Sequence, residues 1–92
     1  MQCTGPGQGY HLWHHEQDGG AGSTTRSIVY LIYLNELKKE AGGETEFLHQ
    51  RKRYSPQKNT LLLWPASYTH AHRGNTVLTE EYKYVITGWL SF

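Results

Sequence analysis

The sequence predicts an all-β fold, either a β-sandwich or an open barrel. About six short segments are rich in β-branched and aromatic residues, which is typical of strands. Glycine and proline separate each segment from the next, and helix formers are gathered in a single short stretch. These three observations favour short strands joined by turns over a helical or mixed fold.

The first half of the chain is predicted to hold two strands. Residues 1–9 contain three glycines and a proline, which indicates a loop leading into a first strand at about Tyr10. A polar, glycine-rich turn is predicted at 17–23. Apolar residues then occupy consecutive positions within 26–35, a pattern typical of a strand that is buried on both faces. This segment is therefore predicted to be the central strand of the core.

The second half is predicted to hold three further strands. Residues 36–41 include helix formers, but the stretch allows no more than one helical turn before Gly42 and Gly43 end it. Side chains alternate in polarity at 44–50 and at 82–92, and 60–64 is a short apolar strand that ends at Pro65. The basic cluster at 51–53 is either a charged strand edge or a contact to an anionic substrate.

Length, charge and cysteine content exclude several classes of protein. A chain of 92 residues is predicted to form one domain, 1–92. The formal net charge of +1 gives no reason to expect a nucleic-acid partner. The longest apolar run, 28–34, is far shorter than the roughly 20 residues that cross a bilayer, so no membrane partner is expected. The single Cys3 has no partner for an internal disulfide, which favours a reducing compartment, the cytoplasm.

The segment around Tyr10 carries the best candidates for metal ligands. Side chains alternate between the two faces of a strand, so His14 and Glu16 are predicted to point to the same side and to bind one ion. The third ligand has to come from elsewhere, and His70 and His72 are both suitable because they also share a face. Two histidines and one carboxylate form the facial triad of non-haem iron(II) oxygenases. Alternation leaves open which of the two histidines completes it.

Lys83 is unusual because of the residues that share its strand face. Alternation along 82–92 groups it with Val85, Thr87 and Trp89, and an unpaired ammonium among apolar side chains is costly. Two interpretations follow from this pattern. Either Lys83 lies on an edge strand and points to solvent, or it points inward and has an anionic partner.

Together these segments resemble the catalytic core of the iron(II)- and 2-oxoglutarate-dependent dioxygenases, in their prolyl 4-hydroxylase-like branch. The resemblance extends from Gln2 to Phe92, and its motifs occur in the family's order and at close to its spacing. The motifs are GYHLWHHE at 9–16, Arg26 with YLN at 33–35, GGETEF at 42–47, LLLWP at 61–65, HRGN at 72–75, KY at 83–84 and GW at 88–89.

The resemblance implies a double-stranded β-helix, the jelly-roll or cupin-like barrel, with iron at its mouth. His14 and Glu16 match the histidine and the acid of the family's first ligand motif. His72, followed by Arg-Gly, matches the distal histidine, so the resemblance selects His72 rather than His70. These three residues are therefore the expected catalytic metal ligands.

The resemblance also implies a binding site for the co-substrate. Lys83 matches the basic residue that binds the distal carboxylate of 2-oxoglutarate, where an ammonium and a carboxylate form a charge-assisted pair. Thr87, on the same strand face, is expected to add a hydrogen bond. The tyrosine that members place before the first histidine has no counterpart here, and Tyr10 or Tyr33 is the candidate to replace it.

The activity implied is hydroxylation of a C–H bond by a dioxygenase that uses iron(II), 2-oxoglutarate and O2, with ascorbate as a compatible reductant. A prolyl residue of a peptide or protein is the first candidate substrate, and a small molecule is another. The alternative is a catalytically silent jelly roll that binds a metal or a small anion, or that serves as an interaction module.

Members of the family usually carry further elements before the first motif. The chain is therefore expected to be a version of the fold truncated at its N-terminus, with an apolar sheet face left exposed. A homodimer or a complementary N-terminal part is expected to cover that face.

Overall fold

The computed structural model describes residues 1–17 and 23–92, and within them the chain forms eight strands in two antiparallel sheets. The strands are β1 (Gln2–Thr4), β2 (Tyr10–His14), β3 (Arg26–Tyr33), β4 (Thr45–Phe47), β5 (Lys52–Tyr54), β6 (Leu61–Pro65), β7 (His72–Gly74) and β8 (Lys83–Ser91). The first sheet has the order β1-β8-β3-β6 and the second the order β2-β7-β4-β5. The predicted all-β jelly roll is confirmed.

Helical structure in the described residues is limited to three 3₁₀ turns, at Ser23–Thr25, Lys39–Ala41 and Tyr68–His70. The second of them confirms the single helical turn predicted at 36–41. Most of the glycine-rich turn predicted at 17–23 falls on 18–22, which lie outside the described residues. In the part of the chain that the structure covers, no helix has the length and apolar character needed to cross a membrane.

β1 is a strand that the sequence did not predict. The segment was expected to be a loop, but Gln2 pairs with Val85 and Thr4 pairs with Lys83 at the edge of β8. Three residues are too few to display an alternating pattern, and the strand is defined by its partner rather than by its own sequence.

The basic cluster at 51–53 overlaps β5, which is an exposed edge strand of the second sheet. The strand-edge interpretation of this cluster is therefore confirmed.

β3 lies between β8 and β6, as a central strand should, but it is buried on one face only. Val29 and Tyr33 are buried between the sheets, whereas Ile28 on the opposite face is 40% exposed. The expectation of burial on both faces was therefore wrong, because no described layer packs on this side of the first sheet. The outward apolar residues of the three strands are Ile28, Tyr30, Ile32, Leu61, Leu63, Tyr84, Ile86 and Leu90. That a homodimer or an N-terminal part covers this face stays a prediction.

The pairing of β7 with β4 and β2 in the second sheet brings His14 and His72 together. β4 is shorter than the predicted strand at 44–50, because 48–51 form a turn that includes His49. Thr45 and Phe47, which alternation places on the same strand face, are both buried. β7 pairs with β4 on one side and with β2 on the other, and its first residue, His72, lies opposite His14. The register of this sheet thus places two of the predicted metal ligands next to each other.

The loop before β4 depends on a backbone conformation that favours glycine. Gly42 has φ 70° and ψ −139°, and a methyl group on it would collide with the carbonyl oxygen of Thr76. We expect Gly42→Ala to lower the free energy of unfolding by about 2–4 kcal/mol, because backbone strain adds to a steric clash. Urea denaturation measures this loss.

Gly7 provides the matched control for this substitution. It also has a positive φ, of 76°, but a methyl group there would meet nothing within 4 Å. Gly7→Ala is therefore expected to cost only about 1 kcal/mol, from the left-handed backbone alone. Equal losses in the two variants would show that the contact with Thr76 adds nothing.

Candidate metal centre

His14, Glu16 and His72 converge on one point in the space between the sheets. His14 ends β2, Glu16 follows it by two residues, and His72 begins β7. The Nε2 atoms of His14 and His72 lie 3.5 and 3.2 Å from the same oxygen, Oε1 of Glu16. One ligand atom from each of the three residues lies within 4.8 Å of the others. Two imidazoles and a carboxylate in this arrangement are the donor set of a facial triad.

The backbone fixes both imidazole rings in the orientation that a metal site needs. Nδ1 of His14 lies 3.0 Å from the carbonyl oxygen of Leu12, and Nδ1 of His72 lies 2.9 Å from that of His70. A carbonyl oxygen can only accept a hydrogen bond, so each Nδ1 carries a proton and donates it. Each Nε2 is thereby left to face Glu16 and to act as a ligand. The residues therefore fit a divalent metal ion such as iron(II).

Glu16 is ionised in this environment. Hydrogen bonds with His14 and then with His72 hold the pKa of its carboxyl group far below the usual range, although partial burial acts in the opposite direction. The carboxylate is therefore available to a cation without first having to lose a proton.

Two aromatic side chains, Trp64 and Phe47, pack against the ring of His72. His72 is 6% exposed, and its ring centroid lies 4.9 Å from that of Trp64 and 5.9 Å from that of Phe47. Val29 and Ala66 complete this buried cluster. A ligand supported by a packed core keeps its position without the metal, which favours a preformed site.

A cavity of about 220 Å³ between the sheets adjoins the three ligands. Lys83 lines it and is 6% exposed, so the inward-pointing interpretation agrees with the structure. Its ammonium donates a hydrogen bond of 3.0 Å to the carbonyl oxygen of Gly43. Burial lowers the pKa of Lys83, and the charge of Glu44 offsets this only in part. The cavity thus contains a cation close to the three ligands.

Three of the predicted co-substrate residues line this cavity, and one does not. Tyr10, Thr87 and Lys83 belong to its walls. Tyr33 is fully buried outside the cavity, where its hydroxyl donates to the carbonyl oxygen of Tyr54 at 3.2 Å. Of the two candidate tyrosines, Tyr10 alone lies where it could touch a bound molecule.

Thr45 is a cavity residue that was not singled out in the sequence. Its hydroxyl lies 2.6 Å from the hydroxyl of Tyr33, which thus supports the cavity wall without lining it. Alternation placed Thr45 on the same strand face as Phe47. It could not predict that this face would lie in the same cavity as Lys83, because that depends on the pairing of distant strands.

Comparisons with known proteins agree with this geometry. The family model of the 2OG-Fe(II) oxygenase superfamily matches residues 1–91. A solved structure of prolyl 4-hydroxylases from Phytophthora capsici is similar, with a TM-score of 0.82 and 26% identity. A prolyl-4-hydroxylase from Pseudomonas putida has a TM-score of 0.76 and 18% identity, so this second likeness concerns the fold.

The two alignments cover 98% of this chain but only 30% and 49% of the respective solved chains. The chain therefore spans less than half the length of either protein. No match was found among curated proteins. The family model nevertheless extends over nearly the whole sequence and includes the three converging ligands. The chain belongs to the 2OG-Fe(II) oxygenase superfamily.

Proposed function

We propose that this protein is a 2-oxoglutarate-dependent dioxygenase that hydroxylates a C–H bond of its substrate. The observation that carries the proposal is the presence of three ligand atoms within 4.8 Å of one another beside a cavity that also contains a buried ammonium. A metal ligand set alone would fit many proteins. The added cation is what favours an anionic co-substrate in the same space.

His14, Glu16 and His72 would hold the iron(II), which together with 2-oxoglutarate and O2 supplies the oxidising power for hydroxylation while the co-substrate loses CO2 and becomes succinate. Lys83 would bind the distal carboxylate of 2-oxoglutarate. No carboxylate of the described residues lies within 4.0 Å of its ammonium, so the charge is available to a ligand.

The remaining wall residues differ in what they offer to the co-substrate. The hydroxyl of Thr87 donates to the carbonyl oxygen of Tyr30 at 3.0 Å, so its proton is not available to a carboxylate and the hydrogen bond expected from Thr87 is not supported. Thr45 and Tyr10 line the cavity from β4 and β2 of the second sheet, and each carries a hydroxyl. Val85 and Trp64 form apolar walls, and a wall of this kind strengthens the ion pair at Lys83 by excluding solvent.

The proposed substrate is a prolyl residue of a peptide or protein, with a small molecule as the second candidate. The support is the prolyl 4-hydroxylase-like character of the motifs and the names of the two similar structures. A cytoplasmic location and a role for ascorbate are further parts of this proposal.

The experiment is an anaerobic titration of the wild-type protein with iron(II) and 2-oxoglutarate. We expect a weak visible charge-transfer band that requires both, because 2-oxoglutarate chelates the iron through its keto acid group. On admission of O2, one succinate should form for each 2-oxoglutarate consumed. Peptides that differ only in proline or alanine at one position then test the substrate class, with formation of hydroxyproline within the peptide as the readout.

Zinc(II) is the matched control, because it accepts the same ligands but has no redox chemistry. The zinc-loaded protein should bind 2-oxoglutarate and produce no succinate. Tight binding of iron(II) by the folded protein, without a charge-transfer band and without succinate, would contradict the proposal. The catalytically silent metal-binding module would then be the better description.

A further inference from the structure

We infer that Arg26 is a positioning residue that restricts Glu16 to a single metal-binding oxygen. The inference concerns a contact between β3 and the segment after β2, and it rests on the proposed function. It adds to that function a reason why a glutamate, with its longer side chain, can serve at this position.

The two carboxylate oxygens of Glu16 have different neighbours. Oε1 faces the Nε2 atoms of both His14 and His72, at 3.5 and 3.2 Å. Oε2 faces Arg26 instead, with Nη1 of the guanidinium at 3.9 Å. A metal ion next to the two imidazoles would thus meet Oε1 first. The positive charge near Oε2 favours this orientation of the carboxylate.

Arg26 also fixes the backbone of Glu16. Its Nη1 donates a hydrogen bond of 3.1 Å to the Glu16 carbonyl oxygen, while the Glu16 amide donates to the carbonyl oxygen of Ala66 at 3.1 Å. Glu16 lies beyond the end of β2, so these two bonds replace the strand pairing that it lacks. One guanidinium therefore contacts both the main chain and the side chain of a metal ligand.

The position of Arg26 is itself determined by its surroundings. Its guanidinium carbon lies 3.8 Å from the ring centroid of Trp89, a cavity-wall residue on β8. Stacking of this kind holds an arginine in place and leaves its N–H groups free to donate. The side chain of Gln17 donates to the Arg26 carbonyl oxygen at 2.6 Å. Hydrogen bonds therefore run from β3 to the segment after β2 and from that segment back to β3.

The number of Glu16 oxygens that bind a metal determines how many of its coordination positions remain open to other ligands. A facial triad works because the face opposite its three ligands remains available to the co-substrate and O2. Glutamate has one methylene more than aspartate, and a longer reach makes binding through both oxygens easier. Binding through both oxygens would occupy one of the positions that 2-oxoglutarate needs. The positive charge of Arg26, 3.9 Å from Oε2, opposes this by attracting that oxygen away from the metal position.

The test uses cobalt(II), because the intensity of its visible absorption changes with coordination number. Arg26→Ala is expected to change the absorption spectrum of the cobalt(II) protein and to weaken 2-oxoglutarate binding by about tenfold, the lower end of the effect of losing an outer-sphere partner. Arg26→Lys keeps the charge and should restore most of the wild-type spectrum. Thermal unfolding of each metal-free variant shows that the fold is kept.

Arg53→Ala is the matched control. Arg53 also forms an ion pair with a glutamate, but that glutamate is Glu46, at 3.1 Å, on the neighbouring strand of the second sheet. This variant should keep the wild-type spectrum and 2-oxoglutarate affinity. If Arg26→Ala does not fold, Arg26→Gln takes its place with the same expectation, because glutamine keeps a hydrogen-bond donor without the charge.

Two results separate this inference from the proposed function. A folded Arg26 variant with the wild-type spectrum and wild-type 2-oxoglutarate affinity would overturn the inference and leave the proposed function intact. A wild-type protein that binds neither cobalt(II) nor 2-oxoglutarate would overturn the proposed function, and the inference with it.

Discussion

Replacement of His72 by alanine is expected to abolish iron(II) binding and, with it, all consumption of 2-oxoglutarate. The imidazole is one of the three proposed ligands, its Nε2 lies 3.2 Å from Glu16 Oε1, and its Nδ1 is held by the carbonyl oxygen of His70. Loss of an outer-sphere partner weakens metal binding by about 10–100-fold, so loss of a ligand should exceed about 100-fold. Anaerobic equilibrium dialysis with iron(II) measures the affinity directly.

His70→Ala is the control for this prediction. Nδ1 of His70 contacts the hydroxyl of Thr69 at 2.9 Å, and the group that holds His72 is the His70 main-chain carbonyl, which alanine retains. This variant should bind iron(II) like the wild type. His72→Gln, which fills more of the same buried space than alanine, separates loss of the ligand from loss of packing. Equal loss of affinity in His70→Ala and His72→Ala would contradict the assignment.

The same pair of histidines shows where sequence reasoning reached its limit. Strand alternation could not separate His70 from His72, because it assumed that both lie on one strand. The structure places His70 in a 3₁₀ turn and begins β7 at His72, so only the second ring follows a strand register. The family motif selected His72 because it contains information on the whole fold, which local periodicity lacks.

The prediction that the side chains of His14 and Glu16 lie close together is confirmed, but strand alternation explains it only in part. β2 ends at His14, and its register with β7 shifts between Tyr10 and His14. Leu12, two residues before His14 and therefore on the same face of a regular strand, is 83% exposed. The proximity of His14 and Glu16 therefore depends on the irregular backbone after β2 and on the reach of the glutamate side chain.

Contacts between distant segments account for most of what the sequence could not predict. Alternation along β8 grouped Lys83 with Val85 but left open whether that face points inward or to solvent, and the structure shows that both residues are buried. The bond between Tyr33 and Thr45 and the contact of Arg26 with Glu16 depend instead on how strands pair across the barrel. A pattern of polarity gives the face of a residue but not its partner.

Replacement of Lys83 by methionine is expected to weaken 2-oxoglutarate binding by about 30-fold or more. Truncating one partner of a buried, charge-assisted pair costs about 2–5 kcal/mol, and each 1.4 kcal/mol corresponds to a factor of ten. Metal binding should be unchanged, because Lys83 is not one of the three ligands. Titration of the iron(II) protein with 2-oxoglutarate measures the loss. Lys52→Met, on the exposed strand β5, is the control and should bind like the wild type.

The same substitution is expected to stabilise the metal-free protein at neutral pH. Burial lowers the pKa of Lys83 in the folded state below its ordinary value of 10.5. Below the lowered pKa, folding must desolvate a charge that the unfolded chain leaves in water, so the ammonium reduces the free energy of unfolding. As the pH rises from the lowered pKa towards 10.5, the folded state loses its proton first and this penalty disappears.

Lys83→Met should therefore be more stable than the wild type at pH 7, and the difference should narrow as the pH approaches 10.5. Urea denaturation of both proteins across this range gives the two curves, and Lys52→Met controls for the loss of a positive charge. A variant less stable than the wild type at pH 7 would show that the hydrogen bond from Lys83 to Gly43 outweighs the burial of its charge. A residue whose ionic partner is the ligand is buried without that partner in the ligand-free protein. Such a residue is therefore expected to lower the stability of the ligand-free protein.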